Sequence, residues 1–166
     1  DRINSGQHTS FCEAIHFSYE RDPDAGMYDA IRRGFESFDL ANEDWLTWIN
    51  SDDILAPGAC ALMALIDGDE QSDSISWVSG TAAIIRNGTV VSNAQRLVSS
   101  EVAKLGICDG HHWEFLQQEG TFFRAKLWRT IDPALDFANF RLAGDWNLWR
   151  LFAHEADLYQ VMHAMG

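Results

Sequence analysis

Two adjacent carboxylates, Asp52 and Asp53, follow directly on the apolar run Trp45-Leu46-Thr47-Trp48-Ile49. Open α/β sheets bind ligands outside the carboxyl ends of their strands, so residue type and position both suit a ligand site. Neighbouring carboxylates repel, and a divalent cation turns that repulsion into coordination by hard oxygen donors. Magnesium or manganese held by one or two carboxylates and by substrate phosphates is the usual arrangement. Taken alone, Ser51-Asp52-Asp53 fits a loop and helix cap better, because acidic turns are common. Asp145, after Ala143-Gly144 at the start of an amphipathic stretch, can be a general base toward a nucleophilic hydroxyl. It can equally be an N-cap, and by itself that is the commoner role. In Asp24-Ala25-Gly26-Met27-Tyr28-Asp29-Ala30, Gly26 permits close backbone approach and Tyr28 adds a hydroxyl to an aromatic face. Ordinary helix capping explains that segment nearly as well. His111 and His112 adjoin Trp113 in a loop and point different ways, so they read as surface or acceptor-side residues.

These residues need elements to hold them. A short strand is expected over 14–19, then a turn-rich acidic stretch. Met27, Ile31, Phe35 and Phe38 recur at helical spacing, which predicts a helix over 27–38 capped by Asp24. The run 45–49 reads as a strand covered on both faces. Pro57 in a first helical position opens a helix through about residue 66, ending at Asp67-Gly68. Strands over 75–79 and 81–86 lead into the hairpin signal Asn87-Gly88 and a further strand from Thr89. A helix over 99–105 closes at Gly106, and a short strand over 120–123 runs into 124–129. Trp146, Trp149, Phe152 and Ala153 share one face of a helix, and 158–162 forms a last strand. Trp45, Trp48, Trp146 and Trp149 are read as core rather than as sugar-stacking platforms. Helices alternating with strands around an antiparallel pair predict a mixed α/β sandwich.

The composition agrees with a globular domain. The chain has 166 residues, 46% of them hydrophobic and 22% charged, which suits one compact domain with a sizeable core. A formal net charge of -13 repels a phosphate backbone, so nucleic acid is a poor partner. Cys12, Cys60 and Cys108 are widely separated and in no metal-ligand spacing, which argues against a disulfide framework or zinc site and for a reducing, cytoplasmic setting. No apolar run approaches the roughly 18 residues of a transmembrane candidate.

Read in order, Glu20-x-Asp22-x-Asp24-x-Gly26-Met27-Tyr28-Asp29-Ala30-Ile31, then Gly34, then Glu43-Asp44-Trp45-Leu46-Thr47-Trp48-Ile49-Asn50-Ser51-Asp52-Asp53 closely resembles the central motif series of family 2 glycosyltransferases. Gln118-Glu119-Gly120-Thr121-Phe122-Phe123-Arg124 is similar to the acceptor-side segment of that family, and Ala143-Gly144-Asp145-Trp146-Asn147-Leu148-Trp149 to its final catalytic segment. The resemblance runs from about residue 14 to 161. Arg32-Arg33 replaces the usual Asn-Lys pair, and Gln117-Gln118 stands where a histidine is common.

The resemblance implies the A-type glycosyltransferase fold, a Rossmann-like mixed sheet flanked by helices. Residues 1–166 would form a single glycosyltransferase-like domain in partial form, because the thirteen mostly polar residues before Ala14 do not supply the amino-terminal nucleotide-binding strand. By resemblance, Asp53 would hold Mn²⁺ or Mg²⁺ against the donor diphosphate, and Asp52 would contact the ribose or transferred sugar. Asp24, Gly26 and Tyr28 would lie on the donor side, Gly120 and Thr121 on the acceptor side. Asp145 would be the base of a single inverting displacement.

The implied partners are a nucleotide diphosphate sugar donor and a glycan or lipid-linked acceptor, in synthesis of a polysaccharide or another glycoconjugate. Any membrane association would come through the acceptor or through segments outside this chain. Two other readings stand beside this one. A non-catalytic sugar- or partner-binding module of the same fold predicts no metal-dependent nucleotide binding. A sugar nucleotidyltransferase expects a glycine-rich basic phosphate loop near the start, and none is visible.

Overall fold

The computed structural model describes residues 15–19, 21–87, 89–92 and 97–166. In chain order the elements are α1 (Met27–Glu36), β1 (Trp45–Leu46), α2 (Ala59–Asp67), β2 (Trp77–Thr81), β3 (Ala83–Arg86), β4 (Thr89–Ser92), α3 (Ser100–Lys104), β5 (Thr121–Arg124), α4 (Ala125–Trp128), α5 (Gly144–Glu155) and β6 (Tyr159–Ala164). The main sheet has the order β1-β5-β2-β6, and β3 and β4 pair separately as a hairpin. β5 is antiparallel to both neighbours, whereas β2 and β6 run parallel. The fold is therefore α/β with a mixed sheet flanked by helices, the class expected and one consistent with a Rossmann-like glycosyltransferase fold.

The period of two along β2 and β5 divides the core. Trp77 lies opposite Phe123 and Val78 opposite Phe122, so each pair faces one side of the sheet. Trp77 and Phe123 join α1, α3, α4 and α5 through Phe35, Ala103, Trp128, Leu148, Trp149 and Phe152. Val78 and Phe122 pack with Ala59 and Met63 of α2 and with Met165. The larger side is aromatic. Trp149 stacks on both Trp48 and Trp77 at 5.7 Å, and Phe123 lies 5.0 Å from Phe152. Trp48 and Trp149 are thus core, as expected. Trp45 and Trp146 are half-buried, one under the Arg124 guanidinium at 3.9 Å and the other donating to the Gly106 carbonyl.

Several elements differ from expectation for local reasons. Residues 15–19 form no strand, and Ala14 lies outside the described residues. The run 45–49 is not a strand covered on both faces. Burial alternates along it, and only Trp45 and Leu46 join the ladder, at the sheet edge opposite Arg124 and Phe123. α1 stops at Glu36 because the Ser37 hydroxyl and amide both turn back onto the last carbonyls. α2 starts at Ala59 rather than Pro57, since Gly58 is left-handed and cannot continue a helix. Of the hairpin turn, Asn87 takes a φ of 51° as such a turn requires, while Gly88 lies outside the described residues. The helix over 99–105 forms as expected, with the Ser99 hydroxyl accepting from the Val102 amide.

Candidate active site

Asp145 sits in the first turn of α5, where Ala143 rather than Asp145 is the N-cap residue. Its Oδ1 accepts two hydrogen bonds, from the Trp146 amide at 2.9 Å and from the Tyr28 hydroxyl at 3.2 Å. Tyr28 comes from α1, 117 positions earlier, and its ring is only 4% exposed. The ring lies edge-on to Phe137 at 4.9 Å and flat against Gly144, where a Cβ would come within 3.0 Å of three ring atoms. Gly144 is thus required for this approach. Burial raises the Asp145 pKa, and the bonds from Trp146 and Tyr28 oppose that rise. Burial, and then the charge of Asp145, push the Tyr28 phenol up, which keeps it a neutral donor. The result is an oriented carboxylate more basic than an ordinary aspartate.

Asp52 and Asp53 occupy a tight turn closed by the Asp53 amide donating to the Asn50 carbonyl at 3.1 Å. Both line a cavity of about 1100 Å³ between this turn, the loop 114–119 and the β3–β4 hairpin. Asp52 also borders a groove of about 450 Å³ along α1, with Met27, Ile31 and Trp48. Asp145 lines neither space. Glu119 enters the larger cavity, and its pKa is raised first by burial and then by the negative charge of Asp53. These two hard-oxygen donors suit a divalent cation whose remaining ligands are phosphate and water. Among the described residues no group of three or more His, Cys, Asp or Glu could hold a metal by itself.

The remaining candidates scatter. Thr121 is fully buried, donating to the Gln117 carbonyl at 2.7 Å and to the Ser79 hydroxyl at 3.1 Å. Gly120 adopts a φ of +82°, and a Cβ there would lie 2.8 Å from the backbone of Met165 and Gly166. Both residues stand behind the cavity wall, while Gln117 and Glu119 face the cavity. Asp24 is exposed and accepts from the Gly26 amide at 3.0 Å, so it shapes the approach to α1 without capping the helix. The structure thus separates Asp24 and Gly26 from Tyr28, which turns inward to Asp145. His111 and His112 are exposed, and both amides and the His112 ring bond Asp109, whose carboxyl they hold well below the usual range. Sequence reasoning passed over Glu119 as a site residue, although a carboxylate beside Gly120 at the entrance to an apolar strand was a visible signal.

Over 148 residues the chain is 28% identical to a PGL/p-HBAD biosynthesis glycosyltransferase of Mycobacterium bovis and to one of Mycobacterium tuberculosis. The match covers 87% of this chain and 51% of each relative, so the chain spans about half the length of the curated relatives it matches. No protein-family model matches, and no solved structure matches significantly. The relationship is distant. It supports a glycosyltransferase, whereas the family 2 resemblance rests on the motifs. No helix among the described residues is long and apolar enough to cross a membrane.

Proposed function

We propose that this chain is the catalytic portion of an inverting, metal-dependent glycosyltransferase of family 2, which moves a sugar from a nucleotide diphosphate donor to an acceptor hydroxyl. The observation that carries the reading is the Asp145 carboxylate. It is made more basic by burial and is oriented by Tyr28 and the Trp146 amide. The motif series and the likeness to two curated glycosyltransferases support the same reading.

In this reading Asp53, with Glu119 beside it, holds Mn²⁺ or Mg²⁺, and Asp52 contacts the ribose or the transferred sugar. Asp24 and Gly26 belong to the donor side. Gly120 and Thr121 shape the acceptor side from behind, and Tyr28 serves Asp145. A cation bound there neutralises charge on the departing diphosphate. Asp145 takes the proton of the acceptor hydroxyl as that oxygen bonds the anomeric carbon. The bond from that carbon to the diphosphate breaks on the opposite face, which inverts the centre. General-base assistance of this kind contributes about 10² to 10⁴ in rate. The relatives' names place them in PGL/p-HBAD biosynthesis, and by that likeness we assign this chain to glycoconjugate synthesis, in the reducing compartment that its three cysteines suggest.

The test is calorimetric titration of the protein in its full natural length with UDP, GDP and dTDP, each with manganese and again with excess chelator. Metal-dependent binding of one nucleotide is expected. Absence of binding to all three would leave a non-catalytic module of this fold as the better description.

A further inference from the structure

The large cavity has two chemically different ends. Asp52, Asp53, Glu114 and Glu119 line one end, so an anionic group entering without a counterion meets a field of like charge. The other end is the β3–β4 hairpin, where Ile85 lies directly opposite Val90 on one face. Both line the cavity, yet they are 54% and 63% exposed. Phe115 continues the apolar wall. Exposed aliphatic side chains that line a concave space beside polar groups form the usual composition of a ligand pocket.

We propose that this cavity takes a neutral amphiphilic acceptor, with its polar, hydroxyl-bearing end toward the Asp52-Asp53 turn and an apolar aglycone laid over Ile85 and Val90. The inference rests on the glycosyl-transfer reading and narrows its acceptor. Free glycans lack the apolar part, and acceptors that present a phosphate to the cavity carry the wrong charge. Charge complementarity excludes the anion, and the hairpin selects the aglycone.

The experiment uses the protein in its full natural length and a series of methyl, butyl, hexyl and octyl β-glucosides below their micelle thresholds, with octyl phosphate as the anionic counterpart. Calorimetry should show affinity rising with chain length, by up to about fourfold per buried methylene. Octyl phosphate should bind more weakly than octyl glucoside. In the double variant Ile85→Ala and Val90→Ala, the dependence on chain length should flatten, and thermal melting would check that the exposed hairpin has kept its fold. Equal binding of methyl and octyl glucosides, tighter binding of octyl phosphate, or an unchanged slope in the double variant would each overturn the proposal. The nucleotide titration separates the two ideas. A chain-length slope without nucleotide binding keeps the cavity's preference and removes glycosyl transfer, and nucleotide binding with a flat slope does the reverse.

Discussion

The Tyr28 hydroxyl donates to Oδ1 of Asp145 across 3.2 Å, so the helix that follows the acidic stretch orients the carboxylate at the start of another helix 117 positions later. The contact depends on Gly144, because only a residue without Cβ lets the Tyr28 ring lie against that backbone. Tyr28 therefore acts through Asp145. It is a positioning residue, and that role predicts a different phenotype from donor binding.

Tyr28→Phe keeps the ring in place and removes the donor. The Tyr28 bond lowers the Asp145 pKa, so the variant should show that pKa raised further. In steady-state assays kcat should fall by about tenfold, as for a lost hydrogen bond to a charged group. The acid limb of the rate profile should move to higher pH. A change confined to the donor KM would contradict the positioning role.

Asp145→Asn should lower turnover by about 10² to 10⁴ while leaving nucleotide binding in place. Its effect on stability has a definite sign. The Asp145 pKa is raised in the folded chain, so the carboxyl favours the fold at low pH, and that contribution is lost as pH rises through the raised value. The melting temperature of the variant relative to wild type should accordingly improve between pH 4 and pH 7. For the same reason, wild-type turnover should fall as pH drops through a value above the ordinary aspartate range.

Asp53→Asn should abolish the manganese dependence of nucleotide binding in the calorimetric titration, because one of two candidate hard-oxygen donors is lost. With the negative charge of Asp53 gone, the Glu119 carboxyl should titrate lower than in wild type. Carbon-detected NMR of the glutamate carboxyls would read this directly.

Thr121→Val tests whether that hydroxyl meets the acceptor or holds the wall. The side chain is fully buried and bonded to Gln117 and Ser79, so the variant should lose about 1–3 kcal/mol in urea unfolding, with the Ser79 hydroxyl left without this partner. Gly120→Ala should cost about 2 kcal/mol or more. It places a Cβ at a φ of +82° and against the Met165 and Gly166 backbone.

Local chemistry made much of the molecule legible from its residues. Ser99 and Gly106 bound a helix as their types demand, and the 81–91 stretch carried its own turn signal. Trp149 and Phe152 declared a core face by helical spacing. The strand ahead of Asp52 was misread because an apolar, β-favouring run looks the same whether one or two neighbours pair with it. Here the ladder takes only Trp45 and Leu46, at an edge.

The site divides the same way. Residue types and spacing were enough to single out Asp52, Asp53 and Asp145 and to attach a candidate chemistry to each, since carboxylates at strand ends and helix starts have few physical uses. Which groups act on one another was decided by tertiary structure alone. The Tyr28 bond to Asp145 and the influence of Asp53 on Glu119 each join positions more than sixty residues apart. So does the apolar end that the hairpin gives the cavity, whose two lining residues only the strand register brings together on one face. Long-range contacts of this kind follow from how layers pack and burial is shared, and no local pattern in the chain encodes them.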